Sequence, residues 1–170
     1  MSNVLIGIVG VILFIGLALA GASFFGPITS DSIAQAKANT VINALGSTAS
    51  AISIRNRELE MATGASANAD FLSPDYIDEA PRNPVSGSSV ALTSSSGSTT
   101  SGPARYVVTG LGTDRQAVDV CRFVNSAAGN GDAPGDVSVL VADRSSGCGV
   151  KASLIGPYGP GEYVAYQKIR

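Results

Sequence analysis

The sequence has no histidine and no tryptophan, and only 6% of its residues are aromatic and 14% charged. Histidine is the commonest general acid or base near neutral pH and the commonest metal ligand, so its absence argues against much of hydrolytic and metal-dependent chemistry. The formal net charge of −2 gives no electrostatic reason to expect nucleic acid as a partner. The 170 residues leave room for one modest domain and an anchor.

Patterns typical of catalysis or of cofactor binding are also missing. Serines are abundant, but no histidine and no Ser-x-x-Lys arrangement is present to activate one as a nucleophile. The glycine-rich pieces GLGT and GPYGPG lack the strand-to-helix setting and the lysine or acidic partner of a phosphate or dinucleotide site, so they predict turns. Nothing indicates that the carboxylates of Glu58 and Glu60 are desolvated. We therefore expect no enzyme, no cofactor and no metal site.

Only two cysteines are present, Cys121 and Cys148, which are too few for a zinc ribbon and are not spaced as a redox C-x-x-C motif. A single structural disulfide fits this count best. Closing a loop of about 27 residues would stabilise the fold by about 3.5 kcal/mol in the chain-entropy model. The alternative is a pair of buried free thiols in a cytosolic protein. Because the hydrophobic N-terminus argues against a cytosolic protein, we expect the disulfide and an extracytoplasmic location.

A long hydrophobic run extends over Val4–Phe25, and no charged residue precedes Asp31. As a helix, about 22 residues span about 33 Å, which matches the hydrocarbon core of a bilayer. A cleaved secretory signal is the alternative, but its positively charged start is absent, since the first basic residue is Lys37. We predict a transmembrane and assembly helix in residues 1–27 and a globular head in residues 28–170.

Small residues recur along this hydrophobic segment and permit close approach of neighbouring helices. Their general frequency in transmembrane helices explains the pattern equally well. Two pairs, Gly16 with Ala20 and Ala18 with Ala22, have the small-xxx-small spacing. The predicted small assembly positions are Gly7, Gly10, Gly16, Ala18, Ala20 and Ala22.

The dipeptide Gly26-Pro27 predicts a break or kink in the first helix. The residues Thr29–Asp31 then offer N-cap side chains for a second helix, with Gly64 as its C-terminal stop. The second helix is amphipathic, and we expect its apolar stripe to cover a domain core. This stripe comprises Ala34, Ala38, Val41, Leu45 and Ile52, with Ile42 and Ala49 beside it.

Beyond Gly64 the composition becomes polar and rich in turn formers. The Ser/Thr tract from Ser86 to Pro103 predicts an exposed loop or the tip of a β-hairpin, with one short strand at Val90–Thr93. A glycan site or a partner-binding loop is the alternative, although no N-x-S/T sequence is present. Further strands are predicted at Arg105–Thr109, Val137–Ala142 and Glu162–Ile169.

A further helix is predicted across AVDVCRFVN, with Thr113 or Asp114 as its N-cap and Cys121 on it. These elements predict an α+β fold: a long N-terminal hydrophobic helix continues into an amphipathic helix that packs on a small antiparallel sheet, with one C-terminal disulfide.

This order of elements resembles the architecture of type IV pilins. The stretch YVVTGLGTDRQAVDVCRFVN is similar to that of type IVb pilins, including those of conjugative thin pili, where a strand leads into a short helix that bears the first disulfide cysteine. The resemblance implies that Cys121 and Cys148 bracket the D-region and that YVAYQKIR is its terminal strand. It also implies that hydrophobic helices bundle into the filament core while the heads cover its outside.

The chain departs from the pilin pattern at its start. Pilins usually carry a glutamate at the fifth mature position, where it pairs with the N-terminal amine of a neighbour, and this chain has Leu5 among its assembly positions. The usual basic leader ending in glycine is missing. We expect Met1 to be the mature terminus after processing, and the alternative is a divergent relative in which the charge pairing is unused. With Leu5 in place of an acid, packing alone would have to set the register between subunits.

The resemblance implies a filament subunit that is held in the inner membrane as a monomer. Pilus assembly machinery would then polymerise it with copies of itself into an extracellular surface filament, of the kind that serves conjugation, adhesion, secretion or DNA uptake. Such polymers use heterologous contacts that do not close. Two other classes stay open: a single-pass, membrane-anchored periplasmic or cell-surface binding module that meets a ligand through the Ser/Thr loop, and a virion membrane or coat protein.

Overall fold

The computed structural model has an α+β fold. It describes residues 2–64, 69–93, 105–131, 134–136, 144–150 and 158–170, with the backbone alone at 2–7, 22–29 and 135–136. The chain divides into two compact units, Met1–Ile33 and Ala34–Arg170.

Helix α1 extends from Ser2 to Glu58. Helix α1 includes both Gly26 and Pro27, so the predicted break is wrong and no second helix begins at Thr29–Asp31, whereas the alternative of a kink at this dipeptide stays a prediction. A proline inside a helix removes its own backbone donor and crowds the preceding turn, but neighbouring hydrogen bonds can carry the helix past it. A local signal that favours a break did not outweigh the helical segments on both sides.

The C-terminal end of α1 is fixed by side-chain hydrogen bonds, and the stop predicted at Gly64 is wrong. Glu60 has a left-handed φ of 51° just after the helix ends. Asn56 Oδ1 accepts hydrogen bonds from the Thr63 backbone N (2.9 Å) and from Thr63 Oγ1 (2.5 Å). Arg55 Nη1 donates to the same hydroxyl at 3.0 Å. These bonds fold the chain back onto the last helical turn, as polar side chains near helix ends commonly do.

The sheet has four antiparallel strands and a two-residue parallel strand at one edge. The strands are β1 (Ala91–Thr93), β2 (Tyr106–Gly112), β3 (Gly135–Asp136), β4 (Ser146–Val150) and β5 (Tyr163–Lys168). Their spatial order in the sheet is β1-β2-β5-β4-β3, and β3 is the strand that pairs in parallel, with β4. The strands predicted at 90–93, 105–109 and 162–169 are confirmed with shifted bounds, whereas Val137–Ala142 lies outside the described residues.

Strands β1 and β2 are consecutive and antiparallel, as the hairpin predicted as one alternative for the Ser/Thr tract requires. Residues 94–104, which connect them, lie outside the described residues. Strand β5 pairs with β2 in a register that places Val108 opposite Tyr166 and shifts between Gly110 and Gly112.

Helix α2 (Arg115–Ala127) follows β2. Asp114 is its N-cap, because Asp114 Oδ1 accepts a hydrogen bond from the Ala117 backbone N at 2.7 Å. This outcome confirms the predicted helix and decides between Thr113 and Asp114 in favour of the aspartate.

The main core lies between the second half of α1, α2 and one face of the sheet. Because successive strand residues face opposite sides, Val107 and Ala165 join this core, while Tyr106 and Tyr166 belong to a second cluster. The predicted amphipathic stripe of α1 is confirmed. Its buried members are Ala34, Ala38, Val41, Leu45, Ala49 and Ile52, with Ile42 partly buried beside them.

Candidate functional site

The first candidate surface is the apolar part of α1 in the unit Met1–Ile33. Large side chains from position 8 to 19 are exposed by about half or more, including Ile12 (64%), Phe14 (75%) and Leu17 (71%). Successive helix residues are turned by about 100°, so these three side chains point in different directions around the axis. A helix that is apolar on all sides is normally buried in a protein core or in a membrane.

The predicted assembly residues that the structure describes are accessible. Ala18 and Ala20 are exposed, and so are Gly10 and Gly16. A Cβ atom added at either glycine would meet nothing within 4 Å, leaving the helix's own nearby backbone aside. The isolated chain therefore has room for a larger side chain at both positions. The structure describes the backbone alone at the other predicted positions, which are Leu5, Gly7, Ala22, Gly26 and Pro27.

In the described residues, no helix combines the length and the apolar character needed to cross a membrane. The segment Val4–Phe25, for which a transmembrane helix is predicted, includes side chains at 4–7 and 22–25 that the structure does not describe. The transmembrane helix stays a prediction.

The predicted disulfide between Cys121 and Cys148 is confirmed, and it joins α2 to β4. The two Cα atoms are 5.3 Å apart, within the usual range for a disulfide. Both cysteines are fully buried.

Asn125 forms a second link between α2 and β4, which sequence reasoning missed. Its Nδ2 donates to the Cys148 carbonyl oxygen at 2.8 Å, and its Oδ1 accepts from the Cys148 backbone N at 2.7 Å. The side chain is 1% exposed. Asn125 is four residues after Cys121, so both lie on one face of α2. This spacing, a buried amide one turn after the cysteine, is the only sequence signal that could have indicated the link.

Three tyrosines, Tyr106, Tyr158 and Tyr166, belong to the second core cluster, which lies on the other face of the sheet and also contains Ala91, Val108 and Val164. The Tyr158 hydroxyl donates to the Ser89 carbonyl oxygen at 3.0 Å, and burial raises the pKa of Tyr158. Burial also raises the pKa of Tyr166 to about 12. Within the described part of the chain the Tyr166 hydroxyl is buried without a hydrogen-bond partner.

A groove with a volume of about 580 Å³ lies between the last turns of α1 and the end of β5. Small and polar residues line its floor, among them Gly46, Ser50 and Ser53. Ser53 Oγ donates to the Arg170 backbone oxygen at 2.8 Å, which ties the end of the sheet to α1.

Three exposed cations, Arg57, Lys168 and Arg170, lie along this groove, and none of the lining residues that the structure describes is acidic. We call it the basic groove. Sequence reasoning missed it because Arg57 and Lys168 are far apart in the sequence and are brought together only by the packing of α1 beside β5.

A segment with three acidic residues, residues 73–79, follows a 3₁₀ turn at Asp70–Leu72, and its Tyr76 and Ile77 are partly buried against the core. We call this segment the acidic loop. The Arg55 guanidinium carbon lies 5.1 Å from the centre of the Phe71 ring. A hydrogen bond with Glu58 raises the pKa of Tyr76. The acidic loop therefore lies beside the last turn of α1.

The three carboxylates of the acidic loop, Asp75, Asp78 and Glu79, are exposed. In the described residues, neither these acids nor the three cations of the basic groove take part in an ion pair, unlike Arg122 and Asp119, which lie 4.0 Å apart on α2. Both surfaces are therefore accessible to a partner.

Comparison of the chain with protein-family models, with curated proteins and with solved structures finds no match. Among the described residues, no group of three or more cysteine, aspartate or glutamate side chains is arranged to hold a metal ion.

Proposed function

We propose that this chain is a structural subunit of an extracellular filament of the type IV pilus kind, which polymerises through the N-terminal part of α1. One observation carries the proposal. Helix α1 is continuous from Ser2 to Glu58, its residues 34–52 are built into the core of the head, and its residues 8–19 expose large apolar side chains in all directions.

Exposing so many apolar side chains of one helix to water is thermodynamically unfavourable. Removing one large aliphatic side chain from water contributes about 1.5–3 kcal/mol, and the described helix carries many of them, each exposed by about half or more. The total available from burial is on the order of 10 kcal/mol. In the proposal, the inner membrane buries these side chains in the monomer, and the same segments of neighbouring copies bury them in the filament.

The head supports an extracytoplasmic location. A disulfide persists in oxidising compartments and is rare in the cytosol. Here the Cys121–Cys148 bond is fully buried and is accompanied by the two Asn125 hydrogen bonds. A head held by these bonds suits a subunit whose outer surface faces solvent after polymerisation by the pilus assembly machinery.

The substitution Gly16→Leu tests the proposal. Since a Cβ at this position meets nothing within 4 Å, the monomer has room for the new side chain, and leucine favours helix more than glycine does. We expect a folded, membrane-bound monomer and no filaments in negative-stain micrographs of sheared cell-surface material. Gly16→Ala, which adds one methyl group, is the matched control and should retain filaments.

Normal filaments from Gly16→Leu would contradict close helix packing at this position, but not filament formation itself. Two outcomes contradict the filament proposal. Membrane-bound wild-type protein with no fibres that contain it would favour the anchored binding module, and its recovery in particles would favour a virion protein.

A further inference from the structure

We propose that the basic groove of one subunit binds the acidic loop of a neighbouring copy, and that this contact sets the side-to-side arrangement of heads in the filament. The inference rests on the proposed function, because it needs copies of the chain held next to one another. The contact is separate from the apolar helix, and its two sides are the groove of one copy and the acidic loop of the next.

Charge complementarity identifies the occupant. The described lining of the groove includes Arg57, Lys168 and Arg170 and no acidic side chain. The acidic loop carries three exposed carboxylates without a basic residue between them. Each surface therefore offers three charges of one sign. Facing each other, they form a complementary pair, whereas two grooves or two loops would repel.

The geometry of α1 places the two surfaces on different flanks of the same subunit. Gly46, Ser50, Ser53 and Arg57 follow one another at spacings of four, three and four residues, so they lie along one stripe of the helix. Glu58, which contacts Tyr76 of the acidic loop, is turned by about 100° from Arg57. Arg55, beneath Phe71, is turned by about 160° from Arg57.

Because both surfaces lie at the level of the last turns of α1, neighbours standing side by side present one flank to the other. The contact is heterologous: the groove of one copy meets the loop of the next, so a pair of copies still has one unused groove and one unused loop. A contact of this type does not close into a dimer and continues along a helical polymer. Exposed ion pairs are individually weak, so this contact selects the orientation of the heads while the apolar helices supply most of the affinity.

Carbodiimide cross-linking of wild-type filaments tests the contact without any substitution. This reagent joins an amine to a carboxylate only when the two touch. We expect mass spectrometry to find Lys168 linked to Asp75, Asp78 or Glu79 in filaments. The link should be absent from the full chain dispersed as a monomer in detergent, which controls for bonds formed within one copy. Lys37, which donates to Gln116 Oε1 at 2.7 Å, should not link to the acidic loop in either sample.

Charge reversal provides the second test. Arg57→Glu with Lys168→Glu should lower filament yield at least about tenfold, because acids then face acids across the contact. Adding Asp75→Lys and Glu79→Lys to that variant should restore yield to within about threefold of wild type, because the pairing is re-formed with its charges exchanged. The matched control changes the same net charge on exposed positions of α2.

The control variant, Arg115→Glu with Arg122→Glu, should stay within about twofold of wild type, since neither residue lines the groove. Unchanged filaments from the groove variant, loss without rescue, or no Lys168 link in filaments would each overturn the inference and leave the proposed function standing. Absence of filaments from the wild type would overturn the proposed function itself. If a reversed variant fails to fold, the cross-link in wild-type filaments decides.

Discussion

Asn125 provides the sharpest test of how the head is held together. The change Asn125→Ala removes two hydrogen bonds, of 2.8 Å and 2.7 Å, between the side chain and the backbone of Cys148. The disulfide keeps Cys148 next to α2, with its Cα 5.3 Å from that of Cys121, so the strand cannot move away to find water. The Cys148 N–H and C=O groups therefore lose their partners while they stay buried.

The expected cost follows from the two buried groups. A buried donor or acceptor left without a partner costs about 1–3 kcal/mol, so the free energy of unfolding should fall by about 3 kcal/mol in total. The melting temperature of the head should fall by about 10 °C. This loss is similar to the stabilisation of about 3.5 kcal/mol expected from the disulfide itself.

Tyrosine signals isolate the head in this experiment. All five tyrosines lie between positions 76 and 166, and the chain has no tryptophan. Near-ultraviolet circular dichroism of the full chain in detergent therefore reports unfolding of the head as urea or temperature rises. Non-reducing mass mapping should show that the variant keeps its disulfide, so that the measured change comes from the lost hydrogen bonds.

Asn130→Ala is the matched control, because it makes the same change nearby. Asn130 Nδ2 donates one bond, to the Ser146 carbonyl oxygen at 2.7 Å, from a partly exposed side chain. Water can replace that bond, so we expect a loss of about 1 kcal/mol or less. A free energy of unfolding for Asn125→Ala within about 1 kcal/mol of wild type, or equal losses for the two variants, would contradict the expected cost of the unpaired Cys148 groups.

Two further substitutions test the tyrosine cluster. Gly110→Ala places a Cβ 2.6 Å from Cδ1 of the buried Tyr158 ring and should lower the free energy of unfolding by about 1–3 kcal/mol in urea titrations. The control Gly46→Ala, whose Cβ meets nothing within 4 Å, should leave the free energy of unfolding unchanged or raise it by up to about 1 kcal/mol. Equal losses at both sites would contradict the steric reason. Burial raises the pKa of Tyr166 from 10.0 to about 12, so stability should be full below pH 10 and fall between pH 10 and 12, as the unfolded chain ionises first. Tyr166→Phe should reduce that alkaline loss without destabilising the protein at pH 7, and an unchanged pH profile would exclude Tyr166 as its source.

Local patterns in the sequence predicted the head better than the course of α1. The stripe through Val41 and Leu45 repeats at helical spacing, and burial of that stripe is the reason the helix forms there. The cap at Asp114 and the strand at the C-terminus follow from equally local rules. The break predicted at Gly26-Pro27 is wrong because the local preference for a break is only a few kcal/mol, which the surrounding turns of α1 can offset.

The remaining features depend on contacts between distant residues, which no single window of sequence displays. Asn125 is an ordinary polar residue until β4 is placed beside α2, where Cys148 presents its donor and acceptor together. The basic groove likewise needs Arg57 and Lys168 on neighbouring elements. The cysteine count predicted the disulfide but could not predict that an amide would reinforce it.

The two contacts proposed for the filament depend on different interactions, electrostatic attraction and apolar burial, which respond differently to salt concentration. Electrostatic contacts between exposed charges are screened within about 3 Å at 1 M salt, so the groove and loop should loosen. Burial of apolar side chains such as Phe14 and Leu17 does not depend on charge, and sulfate or phosphate salts strengthen it. A filament built as proposed would therefore keep its helical core in high salt while its heads lose their fixed arrangement. The same treatment would have little effect on the head itself, whose disulfide and Asn125 bonds are buried away from the ions.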